Sequence, residues 1–547
     1  MAHTACTKCL CLSVYRTFQM ILVCFPLQPI PDNLFIVAAC NPHRGNSLAA
    51  HVSTDTDETW LRSSYYVRKL HPTIQSLMWD YGALREWQER DYIKAKLLIV
   101  QKKISNQSLV DKLKQKDVPE NNLKLTNLRD MIMKSQNAMR EYAYNQLIAS
   151  NINRSSARLC STCCVSQRDI QRVFTFYFWF MKLYQKYQPP GDPCDNEHRA
   201  MLVSLGLVYY MRLNSTYRYE YEKMLNTSFQ ALPDCSSFSQ VFSEQLDWFV
   251  DEVELENGIA RTQALKENIF AIIACVLTTT PLIIVGPPGS SKTLSFSIVI
   301  SNLKGKDSKN KMFRCTELFA ALDPHIYQCS RRTTSREIEV VFKQATKRQG
   351  SLIGGFPVTC VVFMDEAGLP PESHESLKVL HYHLDKQEVA FVAITNHILD
   401  AAKTNRAVSV FRPKASKDDL ETLAKGCLYP NPVNAPVEAQ ENLRTVIKFS
   451  NAYHTLLRDS RHLSAFFGLR DFIHFINYLR RKCTQIVHAQ DVMMALERNF
   501  NGTSEEDFHK ICQVFLEQVC CSIVSATYTT SIYPLLAIQM RSALCTC

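Results

Sequence analysis

Pro281-Leu282-Ile283-Ile284-Val285-Gly286-Pro287-Pro288-Gly289-Ser290-Ser291-Lys292-Thr293 decides the fold. The first five residues read as a buried strand, and Thr293–Leu303 as the helix that follows. Between them, Gly286-Pro287-Pro288-Gly289-Ser290-Ser291-Lys292-Thr293 has the composition and context of a phosphate-binding loop. A polyphosphate needs many convergent donors. A tight turn of backbone N–H groups in front of a helix N-terminus supplies them without bulky side chains. Lys292 is expected to reach the β and γ phosphates, and the Thr293 hydroxyl to ligate Mg²⁺. Ser291 stands where the pattern ordinarily has glycine, a backbone that serine adopts less freely. Glycine is scarce, 15 in 547 residues, so the Gly286/Gly289 pair stands out against a low background.

Downstream, Cys360-Val361-Val362-Phe363-Met364-Asp365-Glu366 is an apolar run ending in two carboxylates, 73 residues past the lysine (365 − 292). Asp365 is expected to hold the Mg²⁺ shell and Glu366 to polarise the attacking water, because ligands of open α/β sheets bind at the carboxyl ends of strands. Val389–Ile394 is a further strand, ending at Thr395-Asn396, whose amide is placed to orient that water. Arg406 and Arg412 are candidates to act in trans on a neighbouring nucleotide, and Arg470 to contact phosphate from a helical lid. Strands are also expected at His325–Cys329, Val358–Met364 and Val408–Phe411, with helices at Arg261–Leu277 and after the capping box Thr334-Ser335-Arg336-Glu337. Apolar strands separated by helices predict an α/β fold, a parallel sheet covered on both faces. Helices fill 416–500, with a break at 429–436.

The formal charge is +10, and residues 85–141 carry 13 Lys/Arg against 8 Asp/Glu, which reads as a solvated helical face. The 21 cysteines are scattered, often inside apolar runs, as buried thiols of a reducing compartment are. Cys6/Cys9/Cys11 and Cys160/Cys163 have a ligand-like step but lack a matching second pair or a histidine at finger spacing. The aromatic segment Phe174–Phe180 reads as core. No apolar run reaches the ~18–20 residues of a membrane span, and residues 20–27 make a poor signal peptide, so a cytoplasmic protein is expected.

The loop at 286–293, Asp365-Glu366, Asn396 and a helical lid bearing Arg470 resemble the AAA+ ATPases. That resemblance implies a five-stranded parallel sheet flanked by helices plus an α-helical lid, with ATP and Mg²⁺ as cofactors. The chain also echoes itself. Phe35–Asn41 parallels Phe391–Asn396, and Val165-Ser166-Gln167-Arg168-Asp169-Ile170 parallels Phe467-Gly468-Leu469-Arg470-Asp471-Phe472. The spacing is 127 residues (168 − 41) in the first copy and 74 (470 − 396) in the second. The expected organisation is an atypical end at 1–30, the rear part of a preceding module at 31–235, a nucleotide-binding core at 236–415, a lid at 416–510 and an atypical tail at 511–547, a section cut from an array.

The eight-residue loop, Tyr327-Gln328-Cys329-Ser330 with Thr334–Ile338, Ala39-Cys40-Asn41-Pro42-His43-Arg44 and Trp79–Leu84 narrow the resemblance to the mysterin family of giant ring-finger AAA+ ubiquitin ligases, over roughly residues 31–510. It implies neighbouring AAA+ modules as partners in one ring, ubiquitin-pathway proteins further off, and association with lipid droplets and antimicrobial defence. No ring-finger pattern occurs in this sequence, so ligase chemistry is not expected of it. Two other readings remain. One is a module that binds ATP but barely hydrolyses it, as a scaffold or gate. The other is a nucleic-acid-dependent NTPase using 85–141, which lacks the interleaved aromatic platforms such binding needs, so no nucleic acid is expected.

Overall fold

The computed structural model describes residues 85–108, 123–149, 164–189, 195–229, 237–256, 258–353, 356–371, 374–428, 437–482 and 489–523. The strand expected at 34–39, the two cysteine steps, the end at 1–30 and the break at 429–436 lie outside the described residues.

Among the described residues six helices come first: α1 (Glu86–Ser108), α2 (Leu123–Ala149), α3 (Gln167–Lys186), α4 (Asn196–Val208), α5 (Ser215–Phe229) and α6 (Phe238–Glu252). A capping box starts α3, with Ser166 and Asp169 satisfying each other's backbone N–H groups. Its aromatic run is core: Phe174, Phe176, Tyr177, Trp179 and Phe180 are buried, and Phe180 stacks on Phe270 at 5.9 Å.

The α/β unit follows: α7 (Gln263–Leu277), β1 (Leu282–Val285), α8 (Lys292–Asn302), β2 (Ala321–Gln328), α9 (Ser335–Arg348), β3 (Leu352–Ile353), β4 (Phe356–Asp365), α10 (Leu380–Lys386), β5 (Ala390–Thr395), α11 (Ala401–Thr404) and β6 (Val408–Phe411). The five-stranded parallel sheet expected from the sequence is present, in the order β2-β4-β5-β1-β6, with β3 antiparallel on β4. The register pairs Val285 with both Thr395 and Phe411, so the carboxyl ends of β1, β5 and β6 lie level. The expected β2 was shorter. Asp323-Pro324 interrupts its apolar pattern, yet pairing with β4 begins at Ala321, because an edge strand needs partners on one side only.

Alternation on the strands feeds two cores. Leu282, Ile284, Phe363, Val392 and Val410 join a cluster that runs without interruption into α1–α7. Ile283, Val285, Val362, Phe391 and Ala393 pack with Ile338 and Phe342 of α9 and Leu380 of α10. The sheet is therefore the middle layer of three.

The last helices, α12 (Lys417–Leu428), α13 (Val437–Asp459), α14 (Arg461–Phe466), α15 (Leu469–Lys482), α16 (Ala489–Phe500) and α17 (Glu505–Ile523), have a core of their own. Helix α17 runs across the boundary expected at 510, and its buried Ile511, Cys512, Phe515 and Leu516 belong to that core. Among the lid helices, α12 packs on α13 and α15, α15 on α16, and α13 on α17. The same set of pairings recurs upstream: α1 on α2 and α3, α3 on α4, α2 on α5. The matching helix starts share a cap: Asp169 accepts from the Ser166 amide and Asp471 from the Gly468 amide, each at 2.8 Å. None of the helices among the described residues is long and apolar enough to cross a membrane.

Candidate nucleotide site

The loop between β1 and α8 is held from behind. Asn268 of α7 donates to the Ser290 carbonyl at 3.0 Å, and the Gly286 amide donates to the Thr395 carbonyl at 3.1 Å. A Cβ on Gly286 would meet Arg412 Cβ at 2.5 Å, so this glycine is required by close approach. Gly289 has φ +89°, and a Cβ there would stand 2.9 Å from Leu469 Cβ and 3.4 Å from the Arg470 amide nitrogen. The first turn of the lid helix α15 thus closes directly onto the loop. Ser291 takes the left-handed conformation at φ +57° that the pattern ordinarily assigns to glycine.

Lys292 is buried, and its ammonium points back into the loop. It donates to the carbonyls of Gly286 (2.7 Å) and Pro287 (2.8 Å) and to Asn396 Oδ1 (3.1 Å). Asn396 Nδ2 donates in turn to Glu366 Oε2 at 3.1 Å. A lysine, an amide and a carboxylate from the ends of three different elements are therefore linked in one chain. Burial pushes the Lys292 ammonium down to about 8, with Glu366 and Asp365 opposing that fall and Arg470 adding to it. Arg470 is thus close enough to be felt at the lysine. Asp365 ends β4, Glu366 follows with φ +52°, and Thr293 is exposed on the first turn of α8. Pro287 and Pro288 stiffen the entrance to the loop, and Ser290 Oγ donates to the Pro287 carbonyl at 2.8 Å.

The structure does not bring the guanidinium of Arg412 or of Arg406 to this loop. Arg412 was expected to act in trans, but its side chain is fully buried and paired with the buried Glu267, which also accepts from Arg218 at 2.9 Å and 3.1 Å. A guanidinium sealed in such a cluster cannot reach a neighbouring nucleotide, so that expectation is corrected: Arg412 supports the loop through Gly286 from below. Burial alone would raise the Glu267 carboxyl, but Arg218 and Arg412 bring it down to about 2. Arg406 lies further away, donating to Asp385 Oδ2 at 2.8 Å, and the same carboxylate pairs with Arg168 of α3 at 3.4 Å. Sequence reading missed Glu267, Asn268 and Arg218. The available signal was a carboxylate and an amide side by side within the apolar helix α7.

Residues 258–419 match the family model described as the RNF213 AAA domain. That stretch is similar to the RNF213 AAA domain. The resemblance to the giant ring-finger ligases is borne out by the relatives of the chain. The chain is 28% identical to the human E3 ubiquitin-protein ligase RNF213 over 90% of its own length and 10% of that protein. It is 28% identical to the mouse RNF213 over 86% of its length and 9% of that protein. A Dictyostelium discoideum protein named as an uncharacterised transmembrane protein is 26% identical over 87% of the chain and 9% of its own length. The chain thus spans about a tenth of the length of these relatives. Thermotoga maritima RuvB covers 48% of the chain, and the chain 78% of it, at 12% identity and a TM-score of 0.28. The superposition is partial, and the fold rests on its strand order.

Proposed function

We propose that this chain binds ATP with Mg²⁺ at the 286–293 loop and hydrolyses it as one AAA+ module of a larger, RNF213-like protein. The observation that carries the reading is the Lys292–Asn396–Glu366 chain. A buried ammonium held by its own loop carbonyls, the Ser290 hydroxyl and an amide has the chemistry to exchange those partners for phosphate oxygens. The backbone amides of 289–293 and Arg470 supply the remaining positive field. Thr293 and Asp365 are the residues that would hold Mg²⁺, which when bound neutralises charge on the phosphates. Asn396 holds the Glu366 carboxylate in place, and Glu366 accepts a proton from the attacking water.

One observation favours slow turnover by the isolated chain. Phosphoryl transfer of this kind uses an arginine from outside, and Arg412 is committed to Glu267 while Arg406 shares the Asp385 carboxylate with Arg168. Arg168 holds the place in the upstream helical repeat that Arg470 holds in the lid. Arg406 is therefore assigned to the nucleotide of the preceding module. Neighbouring modules are the partners this reading requires. Ubiquitin-pathway partners would belong to the larger protein.

The test compares phosphate release by wild type and Glu366→Gln at saturating ATP and Mg²⁺. A fall in turnover of about a hundredfold or more with ATP affinity kept within threefold supports the assignment. Unchanged turnover would sink the role of Glu366.

A further inference from the structure

At the other end of the sheet from the phosphate loop, three side chains of metal-ligating type meet on one face. Asp323 and His325 are two residues apart on the edge strand β2, so their side chains share a face, and Cys360 lies directly across from Asp323 on β4. One ligand-capable atom from each lies within 4.8 Å of the others. His325 Nε2 is enclosed, lies 3.8 Å from Asp323 Oδ2, and has no hydrogen-bond partner among the described residues. Cys360 is fully buried with a free thiol. An orphaned buried imidazole nitrogen costs free energy unless something binds it. Asp323 and His325 keep partial exposure, which leaves an entry path and an open coordination position.

We propose that Asp323, His325 and Cys360 form a binding site for a borderline transition-metal ion of the zinc class, separate from the Mg²⁺ position at the nucleotide. The donor set selects the metal. One imidazole nitrogen, one thiolate sulfur and one carboxylate oxygen suit Zn²⁺ or Co²⁺ and disfavour Mg²⁺ and Ca²⁺, which take oxygen ligands. Tetrahedral bonds of ~2.0–2.3 Å put ligand atoms about 3.5 Å apart, so the three need to draw together by about 1 Å, a movement within side-chain torsions. Binding displaces the thiol proton of Cys360 to solvent, and no other bond changes. Arg348, at the C-terminus of α9, pairs with Asp323. It competes with the ion for that carboxylate and holds the site shut when metal is scarce. The ion would fasten the edge strand to β4.

Cobalt(II) titration of the full chain, without nucleotide or Mg²⁺, tests this through the thiolate-to-metal charge-transfer band and the intensity of the tetrahedral d–d bands. Other cysteines contribute to the signal, so the readout is the difference between variants of verified circular dichroism. The expected result is the loss of one equivalent of Co²⁺, or affinity at least tenfold weaker, in both Cys360→Ser and His325→Gln. Arg348→Gln is expected to bind several-fold tighter. Stoichiometry and affinity unchanged in Cys360→Ser and His325→Gln would overturn the site. Weaker or equal binding in Arg348→Gln would overturn the competition.

Discussion

Ser291 carries a side chain at φ +57°, where glycine is ordinarily required for the loop to turn. The strain of a non-glycine residue there is about 1 kcal/mol. Ser291→Gly is therefore expected to raise stability by about 0.5–1 kcal/mol, and Ser291→Val to lower it by more, read from urea midpoints at constant slope. Lys292 gives a second expectation. Its ammonium is held down at about 8 against an ordinary 10.5, so the folded state without nucleotide binds fewer protons than the unfolded state between those values. Stability without nucleotide should thus rise as pH increases through that window. Phosphate oxygens favour the charged form, so ATP binding near pH 8–9 should take up a fraction of a proton, and affinity should fall as pH climbs past 8. Calorimetry in buffers of different ionisation enthalpy checks the uptake. A binding heat independent of buffer would contradict it. The loop and its carboxylates were legible in the sequence because each is a short run with local meaning. Arg406 and Arg412 were indistinguishable there, since both flank β6. Only the partners, Asp385 for one and Glu267 for the other, separate them.

Helix α7 is the element that connects the site to the rest. Its Asn268 ties the loop, and its Glu267 is shared by Arg218 of α5 and Arg412 beyond β6. Buried carboxylates held between two arginines leave uncompensated charge when lost. Glu267→Gln is expected to cost about 3–5 kcal/mol at pH 7. The carboxyl is depressed from 4.5 to about 2, so its contribution is present above pH 4.5 and lost as pH falls toward 2. Denaturation of wild type and variant at pH 7 and below pH 4 should show the difference narrowing in acid. A constant difference would contradict the assigned cause. Sequence reading found α7 as a helix but not its charge cluster, because the partners lie 49 and 145 residues away along the chain. Pattern within one element carries no information about contacts at that distance.

At the scale of the molecule, helices α1–α7 and the sheet share one continuous core, while α12–α17 have another. The upstream helices, expected to belong to a preceding module, are therefore built onto the sheet of this one. Arg172 of α3 even donates to the Asn405 carbonyl at 2.8 Å, just ahead of β6. Hydrogen exchange should show α3, α4, α7 and the sheet opening as one unit and the lid as another. ATP at a hundred times its Kd adds ~2.7 kcal/mol, and protection should rise in both units, since the loop and Arg470 belong to different ones. The repeat of helix pairings was only partly visible in the sequence. The Arg-Asp helix start was readable, but the pairings themselves follow from packing in three dimensions.

The most direct measurement is equilibrium titration of ATP–Mg²⁺ into the full chain and into Lys292→Ala, with folding of both verified by circular dichroism. Removing the buried ammonium should weaken binding at least thirtyfold, the scale of one charge-assisted contact of ~2–3 kcal/mol to phosphate. Equal affinity in the two proteins would show that the nucleotide, if bound at all, is not held by this loop.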